Sequence, residues 1–267
     1  MKRFSFIALL ILTLTGCDKD STEVKSDDKL RLSISAFNNI WDTEFSTNKK
    51  DFDLTIKLYE DSINAATGKK ESNHIGVNTS GILTLELDEK SYDLFDYYLP
   101  GSVLGGDGSY ILNISDIENS VKSLTINLLL NGKKYRVDSL MPAPVLVTNH
   151  AHLAQNYEPL DDDFLIEWES SVLPTKIEGT QTVFFKDQQV CSKDIYTFAV
   201  PTDIFSHYIY KEDMNHGCEN MTQDIRDIRT EVSLVQSEPN LQSTHEGFDS
   251  VSVSFENNYK WLEVTLF

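Results

Sequence analysis

Leu30-Arg31-Leu32-Ser33-Ile34-Ser35-Ala36 carries an apolar residue at every second position. Successive side chains of an extended chain point to opposite faces, so this beat predicts a strand with one buried and one wet face. The same period returns at Phe52, Leu54, Ile56 and Leu58, at Leu83, Leu85 and Leu87, at Tyr110, Leu112 and Ile114, and at Leu124, Ile126 and Leu128. Asn131-Gly132 then divides the run 124–130 from 134–137. That dipeptide accepts the positive dihedrals of a tight hairpin turn. Residues 30–144 therefore read as one antiparallel β domain.

Met141-Pro142-Ala143-Pro144 follows, and two prolines discourage both helix and central strand, which marks a boundary or edge. Beyond it Phe164, Ile166 and Trp168 alternate, and apolar runs recur at 180–185, 195–200, 230–235, 251–255 and 261–266. Asn257-Asn258 predicts a hairpin between the last two. Residues 219–229 read as a short helix, with Asp224, Arg226, Asp227 and Arg229 spaced to pair on its surface. Short strands with turn residues between them predict a β-sandwich over 145–267. Pro142 and Pro144 ahead of an acidic turn and Phe164-Leu165-Ile166-Glu167-Trp168 resemble the opening of a fibronectin type III or immunoglobulin-like module. The resemblance covers the first third of that half. It implies a scaffold for binding or spacing and transfers no catalytic residue. The expected fold class is all-β, with two antiparallel, Ig-like β-sandwich domains.

The N-terminus carries a different signal. Lys2 and Arg3 precede an apolar run over 4–14, interrupted by Ser5 and Thr13. A helix crossing a hydrocarbon core of roughly 30 Å takes about 20 residues, so the run reads as the h-region of a signal peptide, residues 1–16. Leu14-Thr15-Gly16-Cys17 comes directly after it and resembles the lipobox of bacterial lipoproteins. The resemblance implies a diacylglycerol on the Cys17 thiol and cleavage just before that residue. Two or three acyl chains there would anchor the protein stably where a single chain holds only marginally. Asp18 resembles the residue that retains some lipoproteins in the inner membrane, but Lys19 follows it, and the choice of membrane stays open. The remainder of 17–29 is Asp, Lys, Ser, Thr and Glu with a lone Val24. So polar a segment cannot offset its ordering entropy and reads as a flexible tether with a reach of about 20 Å.

The chain holds 42 acidic and 23 basic residues, a net charge of −19, and loss of residues 1–16 removes two bases and no acid. Such a surface argues against nucleic acid, whose phosphates need Lys and Arg, and against adsorption to anionic headgroups. Lipidation of Cys17 leaves Cys191 and Cys218, an even pair that reads as a structural disulfide in an oxidising compartment. The expected location is the bacterial cell envelope, with the membrane reached through the lipid.

Chemistry-bearing motifs are sparse. There is no Gly-x-Ser-x-Gly elbow, His-Glu-x-x-His, Walker loop or dinucleotide fingerprint. Residues 101–108 are glycine-rich but lack a following Lys-Ser/Thr, and read as a loop. His150 and His152 offer two imidazoles without further ligands. Asp161, Asp162 and Asp163, with Glu158 before them, either supply oxygens to calcium or form a solvated turn. No other cofactor is expected. Tyr92, Tyr97 and Tyr98, with Phe95, form a local aromatic group that could stack on sugars or on partner side chains.

Three classes of function follow. A non-enzymatic module binding or positioning an envelope protein or glycan accords with anchor, tether and sandwich. A hydrolase whose paired carboxylates meet only in three dimensions is the second, and a structural spacer the third.

Overall fold

The computed structural model describes residues 29–43, 46–63, 66–77, 81–101, 108–115, 117, 120–145, 147–148, 163–169, 173–188, 190–200, 206–209 and 225–266. Strands fill most of them: β1 (Lys29–Thr43), β2 (Ser46–Ile63), β3 (Lys70–His74), β4 (Ile82–Leu87), β5 (Lys90–Asp93), β6 (Tyr98–Leu99), β7 (Ser109–Ile114), β8 (Ser123–Leu130) and β9 (Lys133–Leu140), then β10 (Phe164–Glu167), β11 (Lys176–Phe185), β12 (Val190–Ala199), β13 (Ser206–Ile209), β14 (Ile225–Glu238), β15 (Ser243–Glu246) and β16 (Ser250–Leu266). One 3-10 turn covers Phe95–Tyr97, and the described residues contain no α-helix. The fold is all-β.

A nine-stranded sheet runs β12-β11-β14-β16-β1-β2-β7-β6, with β3 also paired to β2. A five-stranded sheet runs β15-β9-β8-β4-β5, and β10 pairs with β13. Leu32, Ile34, Leu54 and Ile56 of the large sheet pack against Leu83, Leu85, Ile126 and Val137 of the five-stranded one, which makes the first sandwich. Ile40, Ile177, Val232, Leu234 and Tyr259 of the same large sheet meet Val145, Val147, Ile166 and Trp168, which makes a second, smaller one. Alternation explains both, because each strand turns its apolar positions toward the facing layer and leaves Arg31, Ser33 and Ser35 toward the wet side.

The two sandwiches share that sheet. Ala36 and Phe255 lie in the first core, whereas Ile40 and Tyr259 lie in the second. β1 and β16 pair in parallel, with Ala36 opposite Phe255, Asn38 opposite Asn257 and Ile40 opposite Tyr259. Among the described side chains the inward beat is thus interrupted on each strand by an asparagine, and the interruption falls between the cores. Asn257 accepts from Asn38 Nδ2 at 2.9 Å and donates to Gln236 Oε1 on β14 at 2.8 Å. It also lies 3.3 Å from the carbonyl oxygens of Pro142 and Ala143. Those prolines carry the chain from Met141 in the first core to Val145 in the second.

Three expectations are corrected. Asn257-Asn258 is not a turn: β16 runs straight through it, because the Asn257 amide is consumed inside the sheet. Residues 225–229, expected as helix, begin β14, whose β-branched Ile225, Ile228, Thr230 and Val232 suit a strand laid on β11. The halves 30–144 and 145–267 do not close separate sheets, since β16 pairs with β1 and β15 with β9. The Asn131-Gly132 hairpin is present, with φ of 51° and 76° joining β8 to β9.

Candidate functional site

Tyr92, Tyr97 and Tyr98 do not form one platform. Tyr92 is half-buried on β5 against the first core, Tyr97 is exposed in the 3-10 turn, and Tyr98 belongs to β6 in the opposite sheet. The Tyr98 ring packs on Tyr110 with centroids 5.0 Å apart. Gly76 and Gly108 give it room: a Cβ on Gly76 would stand 2.7 Å from Tyr98 Cζ, and one on Gly108 would run into the Tyr98 hydroxyl. Tyr110 is buried, its hydroxyl oxygen accepts from the Val77 N–H at 2.5 Å, and burial pushes its pKa up to about 12. Tyr110 is thus core, and Tyr98 packs half-buried against it. Phe95 is exposed and, with Asp93 and Tyr110, lines a hollow of about 260 Å³.

Tyr92 faces a larger cavity, of about 490 Å³, between the β4–β5 turn and the segment that leads from β7 to β8. Ile114, Ile117 and Val121 supply apolar wall, and Lys90, Lys122, Asp88 and Glu89 supply charge. Burial raises the Tyr92 phenol above its ordinary range, and the neighbouring Tyr97 phenol adds to the effect.

The turn that bears this cavity is fixed to the start of β8. The Asp88 carboxylate accepts from the backbone N–H of Lys122 at 3.1 Å, from the N–H of Ser123 at 2.9 Å and from the Ser123 hydroxyl at 3.1 Å. Asp88 N–H in turn donates to the Ser123 carbonyl at 3.1 Å. Asp88 adopts φ of 51°, a left-handed conformation that aspartate tolerates better than most residues. Its role is therefore structural, and it holds one wall of the cavity against the other. Local patterning could not find this site, because residues 87–92 and 114–122 meet only through the crossing from β7 in one sheet to β8 in the other.

A second polar cluster lies at the other side of the large sheet. Asp61 is buried and pairs with Arg31 Nη2 and Lys70 Nζ, each at 2.8 Å. Arg31 stacks 5.4 Å from the Tyr59 ring centroid, and Tyr59 lies 4.2 Å from His74. On β14 the buried Asp227 accepts from Arg226 at 2.6 Å and from Arg229 at 3.3 Å, and both guanidiniums cover Phe184. These arrangements tie strands together and occupy the Asp61 and Asp227 carboxylates.

The remaining sequence-derived positions are only partly within the described residues. Asp163 is exposed ahead of β10, while Asp161, Asp162, His150 and His152 lie outside them. Among the described residues no three His, Cys, Asp or Glu side chains gather as a metal site. Cys191 lies on β12 against the small core of Val183, Phe185 and Ile228. Cys218 and Cys17 lie outside the described residues. No described helix is long and apolar enough to cross a membrane.

No protein-family model and no curated protein matches the chain. Among solved structures it is similar to the Fcho1 Mu homology domain of Danio rerio with bound Eps15 peptide, at 10% identity and a TM-score of 0.31, covering 88% of this chain and 97% of that one. A likeness at that score carries no argument about fold or function.

Proposed function

We propose that this chain is a lipid-anchored lipoprotein of the bacterial cell envelope, a non-enzymatic module that binds or positions an envelope protein or glycan. The carrying observation is Cys17 at the end of a lipobox-like Leu14-Thr15-Gly16-Cys17, with a polar tether between it and β1. Acyl chains on Cys17 hold the protein at the bilayer, and the tether lets the β body stand about 20 Å from the headgroups. Cys191 and Cys218 form a disulfide in that compartment. The acidic surface keeps the body in solution and off anionic headgroups. The Ig-like resemblance of 142–168 supports a scaffold role, and the cavity beside Tyr92 gives such a scaffold a place to hold a ligand.

Mass spectrometry of the mature protein tests the anchor. The expected N-terminal peptide begins at a diacylated or triacylated Cys17, and a bare N-terminus or a start elsewhere overturns the reading. Crosslinking in intact envelopes, against a Cys17→Ser control, tests the binding role. The native chain is expected to recover a partner that the control does not.

A further inference from the structure

We propose that the end of the first sandwich from which the tether leaves is a bilayer-facing surface. Lysines on two hairpins meet the phosphates of anionic phospholipid there, and exposed apolar side chains enter the headgroup layer. The inference rests on the lipid-anchor reading above and adds to it how the β body stands on the membrane.

Register brings the parts together. The tether ends at Lys29, which lies opposite Asp61 on β2, and two residues further along β2 Ile63 pairs with Lys70 of β3. In the facing sheet Ile82, Leu129 and Lys134 share one row across β4, β8 and β9, and Leu130 pairs with Lys133 at the Asn131-Gly132 turn. The segment between β15 and β16 sets the level of one sheet against the other. A Cβ on Gly247 would stand 2.8 Å from the Lys134 carbonyl oxygen, Phe248 packs on Tyr135 with centroids 5.0 Å apart, and the Asp249 N–H donates to the Leu30 carbonyl at 2.8 Å. The β2–β3 and β8–β9 hairpins therefore point past the start of β1 in one direction, one from each layer.

Their side chains suit a bilayer. Lys29, Lys69, Lys70, Lys133 and Lys134 are all exposed at this end. Ile63 is 74% exposed, Ile82 55%, and Phe95, which lines the same hollow as Ile82, 52%. Apolar side chains scattered singly over a surface need no explanation, but these three stand among lysines at the end that the anchor holds near lipid. Lysine is fitted to that boundary, because its stem lies along apolar surface while its ammonium reaches a phosphate. The remaining lysine pair, Lys49-Lys50, lies opposite Trp41 and Ile40 at the far end of β1.

Acids are present too. Asp61 is occupied by Arg31 and Lys70, and Asp249 pairs with Lys29, while Glu71 and Asp93 are exposed nearby. The tether adds five acids against Lys19 and Lys25, so charge attraction is modest and the apolar tips supply the rest of the contact. The net charge of −19 then favours one orientation, since an anionic surface repels the remainder of the body and repels this end least. A second copy of the chain fits less well, because a two-fold contact through this end would set lysine against lysine.

Lysine footprinting by acetylation and mass spectrometry tests the surface. The full-length chain is labelled on vesicles of phosphatidylcholine and phosphatidylglycerol and again in detergent, with rates normalised to Lys186 in the β11–β12 turn, which is exposed in the other sandwich. Lys69, Lys133 and Lys134 are expected to react about threefold more slowly on vesicles, and salt of about 1 M, where the Debye length is about 3 Å, should relieve part of that protection. Lys133→Glu with Lys134→Glu should bring Lys69 back to within about twofold of its detergent rate. Ile63→Gln with Ile82→Gln should remove about half of the protection and leave the melting temperature unmoved, since both positions are exposed. Equal rates on vesicles and in detergent, full protection in either double variant, or protection that grows with the ratio of protein to lipid, as a second copy would give, would each overturn the proposal. The same spectra report the Cys17 acyl state: an acylated chain without protection keeps the anchor and loses this surface, and a bare chain protected on added vesicles does the reverse.

Discussion

Asn38 and Asn257 are 219 residues apart in the chain, yet they are register partners on the parallel pair β1 and β16, and Asn38 Nδ2 donates to Asn257 Oδ1 at 2.9 Å. With Gln236 on β14 they make a row of side-chain amides across three adjacent strands, roofed by the carbonyls of Pro142 and Ala143. An apolar residue at position 257 would let one core run into the next. A buried amide satisfies the linker carbonyls instead, and so fixes where the first sandwich ends and the second begins.

Asn257→Ala removes the central member and strands the Gln236 oxygen, the Asn38 amide and two carbonyls in a buried place. Destabilisation of about 2–4 kcal/mol is expected. Asn257→Asp should be worse at pH 7, because a carboxylate only accepts and here meets three acceptor oxygens. Its pKa must rise on folding, so the penalty is present above that raised value and shrinks as pH falls and the group protonates. Urea unfolding at pH 7 and pH 4.5 reads it: the gap to the native chain should narrow at the lower pH, and a constant gap would count against the amide row.

Gly76 and Gly108 owe their identity to Tyr98 rather than to backbone conformation, since neither has a positive φ. Gly76→Ala or Gly108→Ala should therefore cost about 1–3 kcal/mol by overpacking. In a Tyr98→Ala background the same substitutions should be close to neutral. Thermal melts of the four chains of each cycle measure the coupling, and an equal cost in both backgrounds would remove Tyr98 as its cause.

How much of this was legible follows from how local each signal is. The two-residue beat of 30–36, 52–58 and 124–128 identifies strands because burial on one face imposes it locally. Asn131-Gly132 identifies its hairpin because the positive dihedrals are intrinsic to those residues. Asn257-Asn258 has similar local chemistry and the opposite outcome. Its amide is spent on Asn38, Gln236 and the linker, which lie far away in sequence. Residues 225–229 place charges at helical spacing, but β11 supplies a partner strand, and pairing with it overrides that pattern. The cavity beside Tyr92 had one legible member. Lys90, Lys122 and Asp88 gained meaning only when β7 and β8 carried the chain across the sandwich.

Asp61 is buried between Arg31 and Lys70, and the Lys70 hydrogen bond leads the contacts that hold its carboxyl below the ordinary aspartate range. A depressed folded pKa means the unfolded chain binds the proton first. The stabilisation is complete above the unfolded value of about 3.9 and is lost as pH falls below that toward the depressed folded one. Asp61→Asn should lower stability by about 1–3 kcal/mol at pH 7 and flatten the acid limb of the stability curve. Urea midpoints between pH 7 and pH 3 check it. Parallel curves for the native chain and the variant would show that Asp61 carries no proton linkage.

Among the described residues Cys191 sits on β12, the outermost strand of the nine-stranded sheet, with β11 as its one neighbour there. An edge strand has hydrogen bonds on one side only, and the core beneath it is the small set Val183, Phe185 and Ile228. A covalent tie from Cys191 to Cys218 would restrict the unfolded chain and reinforce the fold beside the smallest of the three described cores, by about 3–4 kcal/mol on the chain-entropy estimate. Since the anchor reading removes Cys17 from the thiol pool, thiol titration in denaturant should find no free thiol without reductant and two with it. Reduction should lower the melting temperature by several degrees, and Cys218→Ser should do the same and leave Cys191 open to alkylation. Two thiols without reductant and an unmoved melting temperature would mean that β12 is held by Phe185 and its neighbours alone, and would take away the support that this cysteine pair lends to an oxidising compartment.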